Sequence, residues 1–279
     1  MEQKRDLAIV LRWVPFEERH RVVTALTENH GRISALARNS IQSRRFGGAL
    51  EPFAAAEWLF VERQGADLYR VDEAHIRRGY EGLRKRFERL ALASVFNELM
   101  IRIAPEREAC PDLFRLHSNA LAVLEEMPDG EPLSELKLLN AYLAKVLQWA
   151  GNQPQVLACL GCLKTLDTLD PYQPLNCVVS DAGWVCSDCR AIETRHVRDR
   201  AAAQGFHQSL LRLTPAALYD FHASLTLPIR QVTAVTQASH AEHEQLFGFL
   251  EALMVYHVPG FDRTPLKGLR FLALKSSLP

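Results

Sequence analysis

Four cysteines in two Cys-x-x-Cys pairs are the residues of this sequence best suited to chemistry. The pairs are Cys159/Cys162 and Cys186/Cys189. Each pair brings two thiolates together across a tight turn, and two such turns supply the tetrahedral sulfur set that zinc prefers. Four protein sulfurs leave no coordination position for water, so the pattern predicts a structural zinc site and not a catalytic one. The alternative is a redox-active or disulfide-bonded set of thiols.

Two further cysteines stand outside these pairs. Cys177 lies between the pairs and is interpreted as a small buried hydrophobe, with replacement of one paired ligand as the alternative. Cys110 precedes a proline at a predicted helix start and is assigned no role.

Basic residues form the second chemically informative pattern. The stretch 29–50 contains no acidic residue, and its polar segment 39–48 carries two adjacent arginines and a phenylalanine. Such a loop offers donors for phosphates and a ring for base stacking. The predicted DNA contacts are Arg32, Arg38, Arg44, Arg45 and Phe46, with Arg77 and Arg78 extending the track.

Each basic segment also has a simpler interpretation. The loop 39–48 could be a solvated basic loop without a ligand, and the arginines of 84–89 fit the solvent face of an amphipathic helix. A weaker basic cluster near the C-terminus contains Arg263, Lys267, Arg270 and Lys275.

Composition limits the class of protein. The chain has 279 residues, 48% of them hydrophobic, which is enough for more than one domain. The formal net charge is zero, so no global field recruits nucleic acid or acidic membranes, and such a partner must meet a local patch. The cysteine usage fits a reducing compartment, and the apolar run 7–11 is too short for a signal peptide or membrane span. We therefore expect a soluble cytoplasmic protein with no membrane contact.

The periodicity of apolar residues predicts an α+β chain. Residues 1–79 contain about five short strands with turn signals, which indicates a small barrel or sandwich. Helical periodicity begins near residue 80 and resumes after the cysteine segment. The predicted domains are therefore a β-barrel (1–79), a helical domain in two parts (80–156 and 193–279) and a zinc-binding module inserted between them (157–192).

Enzyme signatures are poor in this sequence. His240 and Glu242 match half of a zinc-deaminase pattern, but no cysteine pair follows them. His243-Glu244 lacks the second histidine of a metalloprotease helix. We therefore expect a protein that is not an enzyme; a zinc-dependent nucleic-acid enzyme is the disfavoured alternative, because a closed sulfur site cannot activate water.

Two N-terminal segments and the order of the predicted parts resemble the bacterial recombination mediator family RecO. The segments are Thr27–Arg38, with its Thr-Glu-Asn-His-Gly-Arg-Ile start, and Ser43–Phe53, with Arg-Arg-Phe-Gly-Gly-Ala-Leu-Glu-Pro-Phe. The small barrel, the helical domain, the inserted cysteine module and the closing basic segment 266–272 follow in the order of that family. The resemblance covers nearly the whole chain.

The resemblance implies an oligonucleotide/oligosaccharide-binding (OB) barrel followed by a helical bundle, and a zinc-bearing member of the family. It implies binding of single- and double-stranded DNA, annealing of complementary strands, and contact with the C-terminal tail of single-strand-binding protein. Together with RecR, such a protein helps to load RecA on DNA coated by single-strand-binding protein during recombinational repair, in the cytoplasm and at the nucleoid. The competing interpretation, favoured by the neutral net charge, is a helical protein–protein adaptor with incidental DNA contact.

Overall fold

The computed structural model describes residues 3–41, 46–62, 67–189, 211–235 and 237–272. The described chain divides into two compact units. The strands are β1 (Gln3–Phe16), β2 (His20–Thr27), β3 (Gly31–Ala37), β4 (Ala55–Val61), β5 (Tyr69–Arg78), β6 (Leu175–Val178), β7 (Gly183–Val185) and β8 (Arg212–Leu213). The helices are α1 (Phe87–Ile103), α2 (Pro111–Glu126), α3 (Pro132–Trp149), α4 (Pro215–Thr226) and α5 (His240–His257), with short 3-10 helices that include Glu81–Lys85 and Lys267–Phe271.

The first five strands close into a barrel. Their order around the barrel is β1-β2-β3-β5-β4, and every pairing is antiparallel except that of β3 with β5. This is the strand arrangement of an OB-like barrel. The predicted N-terminal barrel followed by a helical domain is confirmed.

Alternation of side chains explains why these segments form strands. In β3 the residues alternate between buried and half-buried along the whole strand. The buried set, which includes Ile33, Ala35 and Ala37, packs with Val23 and Trp58 inside the barrel. Each strand therefore has one face in the core and one face outside it.

A β-bulge in β1 changes which residues face outward. The register with β2 shifts between Val10 and Arg12. The Asn97 side chain of α1 donates to the carbonyl oxygens of Val10 and Leu11, at 3.3 and 2.7 Å, and the Val10 oxygen also accepts from Phe53 N at 2.8 Å, so the backbone at the bulge has hydrogen-bond partners. Beyond the bulge, Trp13 packs against the core and Arg12 is exposed.

The turn between β2 and β3 is held by the buried carboxylate of Asp6. It accepts hydrogen bonds from the backbone and side-chain amides of Asn29 and contacts Nδ1 of His30 at 2.7 Å. Gly31 follows with φ +64°, and a Cβ there would lie 2.0 Å from the Glu108 carbonyl oxygen. The Thr27–Gly31 segment is therefore a structural turn that fits closely against the loop between α1 and α2.

The first unit also contains α1, α2 and the 3-10 helix Lys267–Phe271. Gly268 lies against α1 so closely that a Cβ would be 2.6 Å from the Val95 side chain and 3.0 Å from the Ala91 carbonyl oxygen. This compact unit therefore includes residues beyond 79, the predicted end of the barrel domain.

The second unit contains α3, α4, α5 and the four-cysteine segment. Asp220 of α4 is buried and accepts from the backbone N–H groups of Gln237 and Ala238, and His243 of α5 lies 3.0 Å from it. Asn140 of α3 donates to the His243 carbonyl oxygen. This buried polar network ties the three helices together.

Candidate metal centre and nucleic-acid interface

The two cysteine pairs converge in the folded chain. The sulfur atoms of Cys159, Cys162, Cys186 and Cys189 all lie within 4.8 Å of one another, so the four thiols could hold a metal ion. Zn–S bonds of about 2.3 Å place tetrahedral sulfurs about 3.8 Å apart. The distance from Cys162 Sγ to Cys186 Sγ is 3.7 Å, and all four cysteines are unbridged. The spacing fits a tetrahedral thiolate site.

Backbone amides around Cys159 favour its thiolate. Desolvation raises the pKa of this thiol, but N–H groups of Cys186, Cys162 and Gly161 outweigh that effect and bring the pKa to about 7. The Cys186 and Gly161 nitrogens lie 3.3 and 3.4 Å from the sulfur. The pKa of Cys189 is raised by hydrogen bonds to the Cys162 and Cys186 sulfurs. A divalent cation held by the four sulfurs would remove the repulsion between neighbouring thiolates, because it neutralises the thiolates it binds.

Local structure explains how the pairs meet. The residues between the pairs form a hairpin of β6 and β7, which pair antiparallel and place Cys186 directly after β7. Leu160 N donates to the Trp184 carbonyl oxygen and so joins the turn between Cys159 and Cys162 to the hairpin. A Cβ on Gly161 would lie 2.8 Å from the Cys189 sulfur, so only glycine fits between the pairs.

The other two cysteines lie apart from this cluster. Cys177 pairs with Trp184 across the hairpin, and burial raises its pKa to about 12. Cys110 is buried, and burial raises its pKa to about 11. Both thiols are held protonated at neutral pH.

A basic and apolar surface covers the outer face of β1, β2 and β3 beyond the bulge. On β1, Val14 is 47% exposed and Phe16 43% exposed. On β2 and β3, the outward residues Val22, Thr24, Ser34 and Leu36 are uncharged and half-buried or buried, and Arg38 directly after β3 is exposed. We call this surface the barrel face; its residues are Arg12, Val14, Phe16, His20, Val22, Thr24, Ser34, Leu36 and Arg38.

None of the residues that form the barrel face is acidic, and the carboxylate of Glu17 in the adjoining turn lies 3.4 Å from the His20 ring. Arg12 and Arg38 are exposed, and neither forms an ion pair with a residue that the structure describes. The loop after β3 approaches the β1–β2 turn, where Ile41 N donates to the Arg19 carbonyl oxygen at 3.3 Å. In OB barrels, the face of strands 2 and 3 and the adjoining loops bind oligonucleotides.

Arg32 is engaged in structural contacts. Its Nε donates to the Ala104 carbonyl oxygen at 3.2 Å, and its guanidinium lies 3.6 Å from the carboxylate of Glu106. It therefore secures the loop between α1 and α2 against β3.

Arg77 and Arg78 are neutralised by carboxylates. Arg77 forms an ion pair with Glu57, and this hydrogen bond lowers the pKa of Glu57. Arg78 pairs with Glu125 at 2.7 Å and Glu126 at 3.0 Å. A phosphate would have to displace these partners.

Phe46 does not fit the predicted role of a stacking platform. Its side chain is 5% exposed and belongs to the barrel core, because the segment after the basic loop turns inward to close the barrel. Arg44 and Arg45 lie outside the described residues, as does Lys275.

Three residues of the barrel face were not predicted from the sequence as DNA contacts: Arg12, Val14 and Phe16. Their outward orientation depends on the bulge at Leu11, which the alternation pattern of β1 does not reveal. The signal that could have found them was the apolar-basic run ending in Pro15-Phe16 just before the acidic turn.

Two family models match the barrel and the part of the chain that contains the four cysteines. The family model described as recombination protein O N terminal matches residues 1–80, and the model described as recombination protein O C terminal matches residues 84–224. The chain belongs to the RecO family.

Curated relatives in the RecO family cover most of the chain. The DNA repair protein RecO of Anaeromyxobacter dehalogenans strain 2CP-1 is 32% identical over 219 residues, 78% of this chain and 82% of the relative. That of strain 2CP-C is 31% identical over 252 residues, 90% and 91% of the two chains. That of Geobacter metallireducens is 35% identical over 161 residues, 57% and 64%. RecO family membership supports a role in DNA repair and recombination. Across the part of the chain that the structure describes, no helix combines the length and apolarity needed to cross a bilayer.

Proposed function

We propose that this RecO family member is a DNA-binding recombination mediator that anneals complementary strands. With RecR, it helps to load RecA on DNA coated by single-strand-binding protein. The observation that carries the proposal is the barrel face, on which the exposed arginines Arg12 and Arg38, without an ion-pair partner among the described residues, accompany the exposed ring of Phe16.

The electrostatic reasoning is local. The net charge of zero gives no long-range attraction to DNA. Arg12 and Arg38 present their charge with no described acidic partner, so a phosphate can bind without breaking an ion pair. Arg44 and Arg45 continue the same acid-free stretch in sequence. Release of counterions from the DNA then provides the binding free energy.

Phe16 replaces Phe46 as the proposed stacking residue. Its ring is 43% exposed at the end of β1, and it lies across from His20 on β2. Base–aromatic stacking tolerates any sequence, since every base has a flat face. A mediator that anneals arbitrary complementary strands requires such tolerance.

The four cysteines are proposed to hold one zinc ion in a structural role. All four sulfurs would be ligands, which leaves no position for a water molecule or substrate. The ion would fix the two turns and the β6–β7 hairpin within the second unit. The proposed activity therefore does not pass through the metal.

A protein–protein adaptor is the second candidate. The observation that favours it is the pairing of Arg32, Arg77 and Arg78 with carboxylates, which removes three of the predicted DNA contacts. In that case the helical surface would bind an acidic peptide such as the tail of single-strand-binding protein.

Fluorescence anisotropy with a labelled single-stranded oligonucleotide separates the two candidates. The mediator hypothesis predicts binding by the protein alone, weakened by added salt, and annealing of complementary oligonucleotides under the same conditions. The adaptor hypothesis predicts binding of a labelled acidic tail peptide without measurable oligonucleotide binding. The second result would overturn the proposed function.

A further inference from the structure

Phe87 and Phe271 form an exposed aromatic pair away from the β-strands. Phe87 is the first residue of α1, and Phe271 ends the 3-10 helix Lys267–Phe271. Their ring centroids are 5.3 Å apart at an interplanar angle of 86°, and the side chains are 58% and 45% exposed. Two large rings left this accessible commonly mark a binding surface.

Basic residues occur in both segments that carry the aromatic pair. The Arg270 guanidinium lies 4.5 Å from the centre of the Phe271 ring. Lys85 and Lys267 are exposed, and among the described residues neither they nor Arg270 form an ion pair. The nearby carboxylate of Glu88 is bound by Arg86 at 3.5 Å. The combination of accessible rings and available positive charge is the chemistry that binds single-stranded nucleic acid.

The patch is held in place by packing. Gly268 fits against Ala91 and Val95 of α1, and Lys267 N donates to the Glu98 side chain at 2.8 Å. The two rings therefore belong to one preformed surface of the first unit, and little order has to be gained on binding.

The patch adjoins the loop that leaves the barrel face. Arg84 Nη2 donates to the Pro52 carbonyl oxygen at 2.8 Å, and its guanidinium lies 5.9 Å from the Phe53 ring. Pro52 closes the segment that begins at Arg38 and includes the adjacent arginines of the acid-free stretch. The segment that leads into α1 therefore contacts the end of the stretch that follows the barrel face in sequence.

We propose that Phe87 and Phe271, with Lys85, Lys267 and Arg270, form a second contact for single-stranded DNA. The exposed Phe87 ring stacks on a base, and the three cations neutralise the flanking phosphates. This inference rests on the proposed function and deepens it, because a strand leaving the barrel face would be held at a second point. Duplex DNA is a poorer ligand here, since its bases are already stacked and paired.

The test uses the full chain and a labelled single-stranded oligonucleotide of about 30 nucleotides, longer than the site of one OB fold. Phe87→Ala is expected to weaken binding roughly 5- to 150-fold, the cost of losing one stacked base. Phe87→Leu keeps an apolar side chain but no flat ring, and it is expected to lose most of the same affinity. Lys267→Gln and Arg270→Gln are each expected to lower the slope of log affinity against log salt by about 0.7.

Tyr172→Ala is the matched control, because Tyr172 is an exposed ring (84%) in the four-cysteine segment, among aspartates and not cations. It is expected to leave affinity unchanged. Circular dichroism and the urea midpoint of each variant show whether the fold is retained.

Three results would overturn the inference. One is oligonucleotide binding by folded Phe87→Ala at the strength of the unsubstituted chain. Another is full affinity in Phe87→Leu, which would indicate an apolar contact and not base stacking. The third is loss by Phe87→Ala of binding to an acidic, phenylalanine-ended peptide with no loss for DNA, which would assign the patch to a protein partner. Absence of DNA binding in the unsubstituted chain would overturn the proposed function as well, so the two failures are distinguishable.

Discussion

Arg32 and Arg38 lie on the same side of β3. The two arginines have different roles, because their surroundings differ. Arg32 is held by the Ala104 carbonyl oxygen and by Glu106. Arg38 is exposed at the end of the strand and has no ion-pair partner among the described residues.

Substitution of these two arginines by glutamine is expected to have opposite effects. Arg38→Gln should lower the salt slope of single-stranded DNA binding by about 0.7 and leave stability unchanged. Arg32→Gln should leave the slope unchanged and reduce the free energy of unfolding by about 1 kcal/mol, because it loses a charged hydrogen bond. Salt titrations and urea unfolding of both variants provide the measurement. Equal slopes for the two variants would contradict the assignment.

Gly31 is the residue at which the family-like Thr27–Gly31 segment is most tightly constrained. Gly31→Ala would place a Cβ 2.0 Å from the Glu108 carbonyl oxygen at φ +64°. We expect a loss of about 2–5 kcal/mol, from the left-handed backbone together with the steric clash. Gly48→Ala is the control, since Gly48 has φ +87° and open space around it. That change should cost only about 1–2 kcal/mol in urea unfolding, and equal losses would refute the close fit.

At the residue scale, a site formed by residues close together in sequence was predictable. Contacts between residues far apart in sequence were not. The cysteine ligands followed from two short motifs, whose turns are formed by the residues between them. Arg78 meets Glu125 across 47 positions of sequence, and Phe46 turns into a core built from five strands. No window of neighbouring residues contains those contacts.

If the four cysteines hold zinc as proposed, the stability of their segment depends on that ion. Cys186→Ser is expected to abolish zinc binding and to unfold the β6–β7 hairpin, while the barrel, in a separate compact unit, remains folded. Cys177→Ser is expected to retain one zinc per chain, because Cys177 is outside the sulfur cluster. Elemental analysis and thiol titration check both variants. Purified protein without zinc and with paired disulfides would refute the metal site.

The packing of α4 against α5 depends on one buried carboxylate. Asp220→Ala would leave the N–H groups of Gln237 and Ala238 and a ring nitrogen of His243 without their acceptor. We expect a loss of about 3–5 kcal/mol in the free energy of unfolding. Asp181→Ala, at an exposed turn of the same unit, should change it by less than about 0.5 kcal/mol. Similar urea midpoints for the two variants would contradict the role of Asp220.

At the scale of elements, periodicity identified strands and helices because each buries one face. The helices expected beyond residue 80 are observed, among them Pro111–Glu126 and Pro132–Trp149. The bulge at Leu11 was not predictable, since the Leu11 carbonyl oxygen accepts a hydrogen bond from Asn97, a residue of α1 far along the chain.

At the scale of the whole molecule, zero net charge conceals an uneven distribution. The stretch 29–50 has no acid, whereas 157–189 contains four aspartates and a single lysine. The first unit also includes Lys267–Phe271, which packs on α1 although it lies far along the chain. Because Lys267–Phe271 packs on α1, basic residues from both ends of the sequence occur in one unit. Domain boundaries drawn as continuous ranges of sequence do not contain this grouping.

The measurement that tests the central claim most directly is a salt titration of single-stranded DNA binding by the double variant Arg44→Ala/Arg45→Ala. If both arginines touch phosphate, the slope of log affinity against log salt should fall by about 1.4 relative to the unsubstituted chain. Arg77→Ala/Arg78→Ala, whose arginines are paired with carboxylates, should change the slope little. An unchanged slope in Arg44→Ala/Arg45→Ala would contradict the claim that the acid-free stretch 29–50 binds DNA.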